Sequence, residues 1–297
     1  MKKEVSAMVK LISSMLIFGS IGLLVRYIPM PSSIVAFVRA FIGVIFLLIV
    51  LVVKGTKLYL PAIKSNFVYL TLSGIAIGFN WILLFESYRY TSVAVSTLCY
   101  YMAPIIVTLL SPLILKEKIT AKRFLCVLAA LGGMALISGI FKAGSLQSGE
   151  VKGIALGFGA AVLYATVILL NKQLRNISAM DRTVCQLLVS AIVLLPYNLL
   201  TCDTALLRVT PSGWILLAVA GVVHTGLAYY LYFGSMEHLN AQSIALASFI
   251  DPVVAVLISI TILAEPFDVY TVFGAAAILG AALISELPVM RGNMHDN

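Results

Sequence analysis

The sequence predicts an all-α integral membrane protein, with ten transmembrane helices arranged as two inverted five-helix repeats. Three observations carry this. Hydrophobic residues make up 61% of the 297 and charged residues only 11%, with a mean hydropathy of +1.07, too apolar to coat a water-soluble core. Apolar runs of about 20 residues, the length that spans hydrocarbon as a helix, recur along the chain. Finally, the sequence matches itself without gaps at an offset of 148 residues. Of the 55 positions from 78 to 132, 13 are identical to their mates, among them Gly78/Gly226, Phe85/Phe233, Ser87/Ser235, Pro104/Pro252, Ser111/Ser259, Glu117/Glu265 and Gly132/Gly280.

The runs give the spans in order: 11–25, 32–53 (interrupted by Arg39), 65–85, 91–115, 124–141, then 153–171, 183–202, 209–236, 240–263 (interrupted by Asp251) and 269–285. The first follows Met1-Lys-Lys, but no small-residue cleavage motif comes after Leu24, so it reads as a retained helix. Each repeat holds five spans, 1–144 and 145–297, joined by the loop 142–152. An odd number of spans makes the second repeat enter the membrane from the opposite side.

Basic residues test the orientation, because short cytoplasmic loops carry an excess of Lys and Arg. With the N-terminus inside, the inner segments hold fourteen of the 20: Lys2, Lys3 and Lys10; Lys54, Lys57 and Lys64; Lys116, Lys118, Lys122 and Arg123; Lys172, Arg175 and Arg182; and Arg291. The outer loops hold five, Arg26, Arg89, Lys142, Lys152 and Arg208, and Arg39 lies within a span. The expectation is a multi-pass plasma-membrane protein with both termini cytoplasmic. Its net charge of +8 is then a topology signal beside anionic headgroups, and no nucleic-acid partner is implied.

Several function classes lack their residues. No Gly-x-x-x-x-Gly-Lys-Ser/Thr loop is present to hydrolyse ATP. The histidines (His224, His238, His295) and cysteines (Cys99, Cys126, Cys185, Cys202) are scattered without metal-ligand spacing, so no metal, cofactor or enzymatic reaction is expected. Inverted repeats with short loops are the construction of secondary carriers, whose halves rock around a site near the midplane.

The candidate site residues follow from depth and polarity. Pro104 and Pro252 sit mid-span at equivalent places, each freeing the carbonyl four residues earlier (Tyr100 and Ser248). They read as paired kinks that shape a cavity, or as ordinary packing prolines. Asp251 lies near mid-depth, where insertion costs about 3 kcal/mol, so it is a candidate for substrate binding and proton coupling; the alternative is a helix-to-helix hydrogen bond. Arg39 reads as a substrate contact, as a partner for Glu86 or Asp251, or as a side chain snorkelling to the headgroups. Glu86, ending the third span, is a coupling candidate or an interfacial charge.

The mates of these three charges are uncharged: Leu187, Ala103 and Gly234. A symmetric frame with asymmetric charges is what a site grafted onto a duplication looks like. Asn80, Trp81, Tyr100, Tyr101 and Tyr229 are candidate walls for an apolar or planar solute, with packing as the alternative for each. His224 is a binding candidate or a bond to a neighbouring helix, and Gln186 carries the same two readings. The pairs Gly74/Gly78 and Gly153/Gly157 have the spacing of close helix crossings. Thr120 and Asp268 stand where helices begin and read as N-caps.

This pattern resembles the drug/metabolite transporter superfamily, specifically its EamA-type families. The residues that carry it are FESYRYTS at 85–92, Ala103-Pro104, LKEKIT at 115–120 with Glu117, and Leu131-Gly132-Gly133 in the first half. In the second they are FGSMEHLN at 233–240, Asp251-Pro252, LAEPFD at 263–268 with Glu265, and Gly280. An Arg in the second span, such as Arg39, is also typical there. Asp251-Pro252 replaces the commoner Glu-Pro and shortens the acid's reach. The resemblance implies a ten-helix carrier with a cavity formed mainly by spans 3, 4, 8 and 9, exporting amino acids, their derivatives or other small metabolites. The expected partners are a small-molecule substrate, membrane lipid and, as the candidate protein partner, a second copy in a homodimer. A facilitative channel and a non-transporting sensor or assembly subunit are the competing functions.

Overall fold

The computed structural model describes residues 2–114, 116, 119–137, 148–202, 210–236, 238–239 and 241–286. Among them every regular element is helical. The chain runs through α1 (Lys2–Gly19) and α2 (Ile21–Arg26), α3 (Ser32–Val53), α4 (Leu60–Ser65), α5 (Phe67–Tyr90), α6 (Val93–Tyr100), α7 (Ala103–Ile114) and α8 (Ala121–Ile137). It continues through α9 (Ser148–Asn171), α10 (Ala179–Thr201), α11 (Pro211–Gly221), a π-helical stretch (Val222–Leu227), α12 (Ala228–Met236), α13 (Ala241–Ala247), α14 (Ile250–Thr261) and α15 (Val269–Glu286). Among the described residues seven helical segments are long and apolar enough to cross a membrane, and Ile250–Thr261 and Val269–Ser285 are shorter apolar helices.

Side-chain caps mark several starts. Ser92, Ser178 and Thr210 accept the backbone N–H three residues on, at 3.1, 3.0 and 3.2 Å. Thr120 and Asp268 do the same for α8 and α15, at 3.3 and 2.8 Å, as their positions predicted. Glu117, the repeat mate of Glu265, and most of the loop between the halves lie outside the described residues.

The expected proline kinks are breaks. α6 stops at Tyr100 and α7 starts at Ala103, so Pro104 is the second residue of a new helix. Pro252 is likewise the third residue of α14, after the turn that follows α13. The missing N–H at each proline removes the bond that would have carried the helix across, and the chain re-nucleates just before the ring. Two further prolines, Pro112 and Pro196, lie inside α7 and α10.

Packing recurs under the 148-residue offset. α5 lies along α9, and α1, the mate of α9, lies along α12, the mate of α5's second half. α8 pairs with its own mate α15, α6 packs on α14, and α3 packs on α10. Glycines set the close crossings: a Cβ on Gly74 would stand 2.7 Å from Val189, one on Gly153 2.8 Å from Thr91, and one on Gly133 2.8 Å from the Gly274 carbonyl. Buried amides and hydroxyls tie the bundle. Gln186 donates to Ser73 Oγ at 2.6 Å and to Asn171 Oδ1 at 2.7 Å, binding α10 to α5 and α9, the helix-to-helix reading of that residue. The outward faces carry Leu200, Val53 and Leu113, each at least 80% exposed, as lipid contact requires.

Ser87 shows how much one such group holds. Fully buried, its hydroxyl donates, shared between the Gly153 carbonyl and Ser96 Oγ, both at 2.7 Å. Ser87→Ala strands both partners and is expected to cost about 1–2 kcal/mol, read as a lower melting temperature in detergent.

Candidate substrate cavity

The broken and bent helices leave room where they converge. A cavity of about 370 Å³ is lined by α1, α2, α3, α5, α6, α7, α9, α12 and α14. Rings line most of it. Tyr100 stacks on Tyr164 at 5.1 Å, Phe18 meets Tyr229 edge-on at 5.3 Å, and Tyr101 tilts against Phe249 at 6.4 Å. Of the residues expected from sequence, Arg39, Asn80, Trp81, Tyr100, Tyr101, Pro104, Tyr229 and Asp251 all reach this wall.

Arg39 is only 4% exposed, which rules out snorkelling. Its guanidinium lies over the Trp81 ring at 4.4 Å and the Phe85 ring at 5.2 Å. Nε donates to Thr225 Oγ1 at 3.0 Å and Nη2 to the His224 carbonyl at 3.3 Å. Among the described residues it pairs with neither Glu86 nor Asp251. Asp251 stands on the α14 wall beside the Tyr101 hydroxyl, which also donates to the Ser248 carbonyl at 3.4 Å. The carbonyl that Pro252 frees thus finds its donor in the break between α6 and α7.

Three expected residues lie off the cavity. His224 turns to the bend between α1 and α2, where its Nε2 meets Ser20 Oγ at 3.1 Å. Glu86 accepts from Ser32 Oγ at 2.7 Å and pairs with Arg89 at 3.6 Å. Pro252 is buried against its neighbours, so only Pro104 of the pair shows its ring to the hollow. Conversely, Phe18, Tyr88, Thr97 and Tyr164 line the cavity without having been singled out. α5, α6 and α9, which carry Tyr88, Thr97 and Tyr164, have no polar stripe that marks a facing side.

Close to Tyr88 lies an ion pair centred on Glu265, whose side chain is 8% exposed: it accepts from the Val93 N–H at 2.8 Å and from Ser259 Oγ, and pairs with Arg26 at 3.2 Å. Arg26 Nη1 in turn donates to the Tyr88 carbonyl. A second hollow of about 270 Å³ shares Pro104 and Ile168 with the first and is also lined by Arg123, Lys172 and Ser285.

The EamA-like transporter family model matches the chain twice, over residues 5–139 and 151–286. The chain belongs to the EamA-like transporter family. Relatives of this EamA-like protein include the uncharacterized transporters YxxF and YetK of Bacillus subtilis (strain 168). YxxF is 31% identical over 95% of this chain and 90% of its own length, and YetK is 30% identical over 96% and 88%. Protein PecM of Dickeya dadantii (strain 3937) is 26% identical over 76% of each chain. A solved crystal structure superposes on this EamA-like chain with a TM-score of 0.66, covering 94% of it and 95% of the solved chain at 15% identity, a likeness of fold alone. With two copies of the family domain and seven membrane-length helices, the EamA-like chain is a multi-pass membrane protein.

Proposed function

We propose that this EamA-like transporter is a secondary carrier. It moves small amphipathic metabolites, amino acids and their derivatives among them, across the plasma membrane by alternating access, and it runs as an exporter. In this reading ten spans form two inverted repeats, 1–144 and 145–297. α1–α2, α3, α5, α6–α7 and α8 make the first, and α9, α10, α11–α12, α13–α14 and α15 the second. Both termini are cytoplasmic, as the fourteen-to-five bias in basic residues favours. Membrane lipid surrounds the bundle, and a second copy is its candidate partner.

One observation carries the proposal: a cavity walled by aromatic rings, with Arg39 and Asp251 among its lining, sits where the broken helices converge. In the proposed orientation the Arg26–Glu265 pair closes the outer side and the second hollow opens the cytoplasmic side, the state in which an exporter loads. Arg39 and Asp251 provide charge selectivity, and the breaks before Pro104 and Pro252 provide hinges.

Reconstitution in liposomes with a panel of radiolabelled metabolites tests this. Saturable counterflow is the expected result. Flux rising linearly with concentration is that of a channel, and absence of flux across the panel is that of a sensor or assembly subunit. Proton coupling has its own test. A carboxyl in the cavity that carries the proton loses that capacity as an amide, so Asp251→Asn is expected to leave counterflow measurable and to flatten its dependence on pH. An unchanged pH profile would remove Asp251 from the coupling role.

A further inference from the structure

Asp251 is the one acid among the residues that line the cavity, and its repeat mate Ala103 lines the same hollow without a charge. Among the described residues no Lys, Arg or His nitrogen comes within 4.0 Å of its carboxylate. The one donor beside it is the Tyr101 hydroxyl, which the Ser248 carbonyl also draws at 3.4 Å. An ionised carboxylate has room for about four hydrogen bonds, so Asp251 is short of donors. Neither of its oxygens is sealed from the hollow. A carboxylate that faces a cavity in the membrane with one donor points to a ligand that supplies the rest.

The wall beside it suits a cation. Tyr164 stacks on Tyr100 at 5.1 Å, Tyr100 meets Tyr101 edge-on at 6.2 Å and Tyr101 tilts against Phe249 at 6.4 Å, so four rings form a continuous run. Aromatic rings attract cations and offer nothing to an anion. The hydroxyls of Tyr100 and Tyr164 make no hydrogen bond among the described residues and lie within the field of Asp251. Phenol oxygens accept as readily as they donate. Arg39 does not fill this role: it is bonded to Thr225 and the His224 carbonyl and lies over Trp81 and Phe85. What Asp251 lacks is one positive charge with several N–H donors, which is the description of an ammonium group.

We propose that Asp251, with Tyr100, Tyr101 and Tyr164, forms an ammonium subsite in the cavity. The subsite takes the protonated nitrogen of an amine whose apolar body lies along the remaining rings, and a carboxylate on the same solute is left to Arg39. The inference rests on the cavity being the solute site of the proposed carrier. It makes a basic nitrogen the feature that its solutes share, and Asp251 the residue that selects for it.

The test is binding to the purified full-length chain in nanodiscs at neutral pH, which requires no flux. The cation phenethylamine, its neutral isostere 2-phenylethanol and the anion phenylacetate are titrated by calorimetry. Trp81 fluorescence in a Trp214→Phe background gives a second readout from within the cavity. Phenethylamine is expected to bind at least about tenfold more tightly than 2-phenylethanol. Asp251→Asn is expected to erase about tenfold of that preference, while Asp251→Glu keeps it to within about threefold. The melting temperature of Asp251→Asn should equal or exceed the parent's, since the variant removes an underbonded charge and keeps the shape. No binding of phenethylamine, equal affinity for the alcohol, tighter binding of phenylacetate, or an unchanged preference in Asp251→Asn each overturns the subsite. Failure of the carrier reading is separate: amine binding without counterflow in liposomes would leave the subsite standing and remove the transport cycle.

Discussion

Arg39→Met is expected to abolish counterflow while holding or raising the melting temperature of the purified protein. The two effects come from the same burial. A guanidinium 4% exposed, with no acid within 4.0 Å among the described residues, gives up hydration worth several kcal/mol. What it recovers is smaller: one hydroxyl bond, one carbonyl bond and contact with two rings, roughly 1–2 kcal/mol from the rings. Methionine fills the space and carries no charge, so the fold gains whatever the arginine was costing it. Transport loses the cation that the substrate's charge would meet. A structural arginine behaves the other way, its loss lowering the melting temperature and flux together. Thermal unfolding and counterflow on one preparation separate the two cases.

Gly226→Ala is expected to destabilise the bundle by about 3 kcal/mol, at the upper end for overpacking. A Cβ there would stand 2.4 Å from Phe46 Cγ and 2.7 Å from its Cβ, atoms at the root of the ring that no rotamer change moves far. The neighbours of this seam are equally tight: a Cβ on Gly221 would lie 2.5 Å from Ile42 and one on Gly43 2.6 Å from Thr225. α3 would have to retreat from the π-helical stretch, and Arg39, which bonds to Thr225, would move with it. Gly132→Ala is the control. Nothing lies within 4 Å of that site, so alanine should be neutral or mildly stabilising through helix propensity. A Gly226→Ala protein that unfolds at the parent temperature would contradict this packing.

That contrast also shows what repetition in the sequence conveys. Gly78/Gly226 and Gly132/Gly280 are equally good repeat mates, yet a Cβ at Gly226 is blocked while Gly132 and Gly280 face open space. Identity at an offset reports common descent, and steric need is a separate matter. Depth was legible in the same partial way. Arg39, Asp251 and the deep aromatics reach the cavity because an apolar run measures position along its axis. Direction around the axis was not legible, since membrane helices apolar on every side give no facing stripe. His224 sits at the same depth as the cavity and turns toward Ser20 instead. Tyr164 and Thr97 face inward with nothing in their surroundings to distinguish them. The prolines marked where continuity fails, but the absent N–H could not say whether the helix would bend or stop.

The π-helical stretch Val222–Leu227 has a consequence for its C-terminal side. A single wide turn inserts one residue into the winding, so every side chain beyond it is rotated by about 100° relative to an unbroken α-helix. Tyr229 and Tyr232 owe their inward bearing to that phase offset. Excising one residue from the stretch would swing both rings round the axis, away from the hollow and toward neighbouring helices or lipid. The membrane span would survive at nearly its full length, with its inner wall replaced.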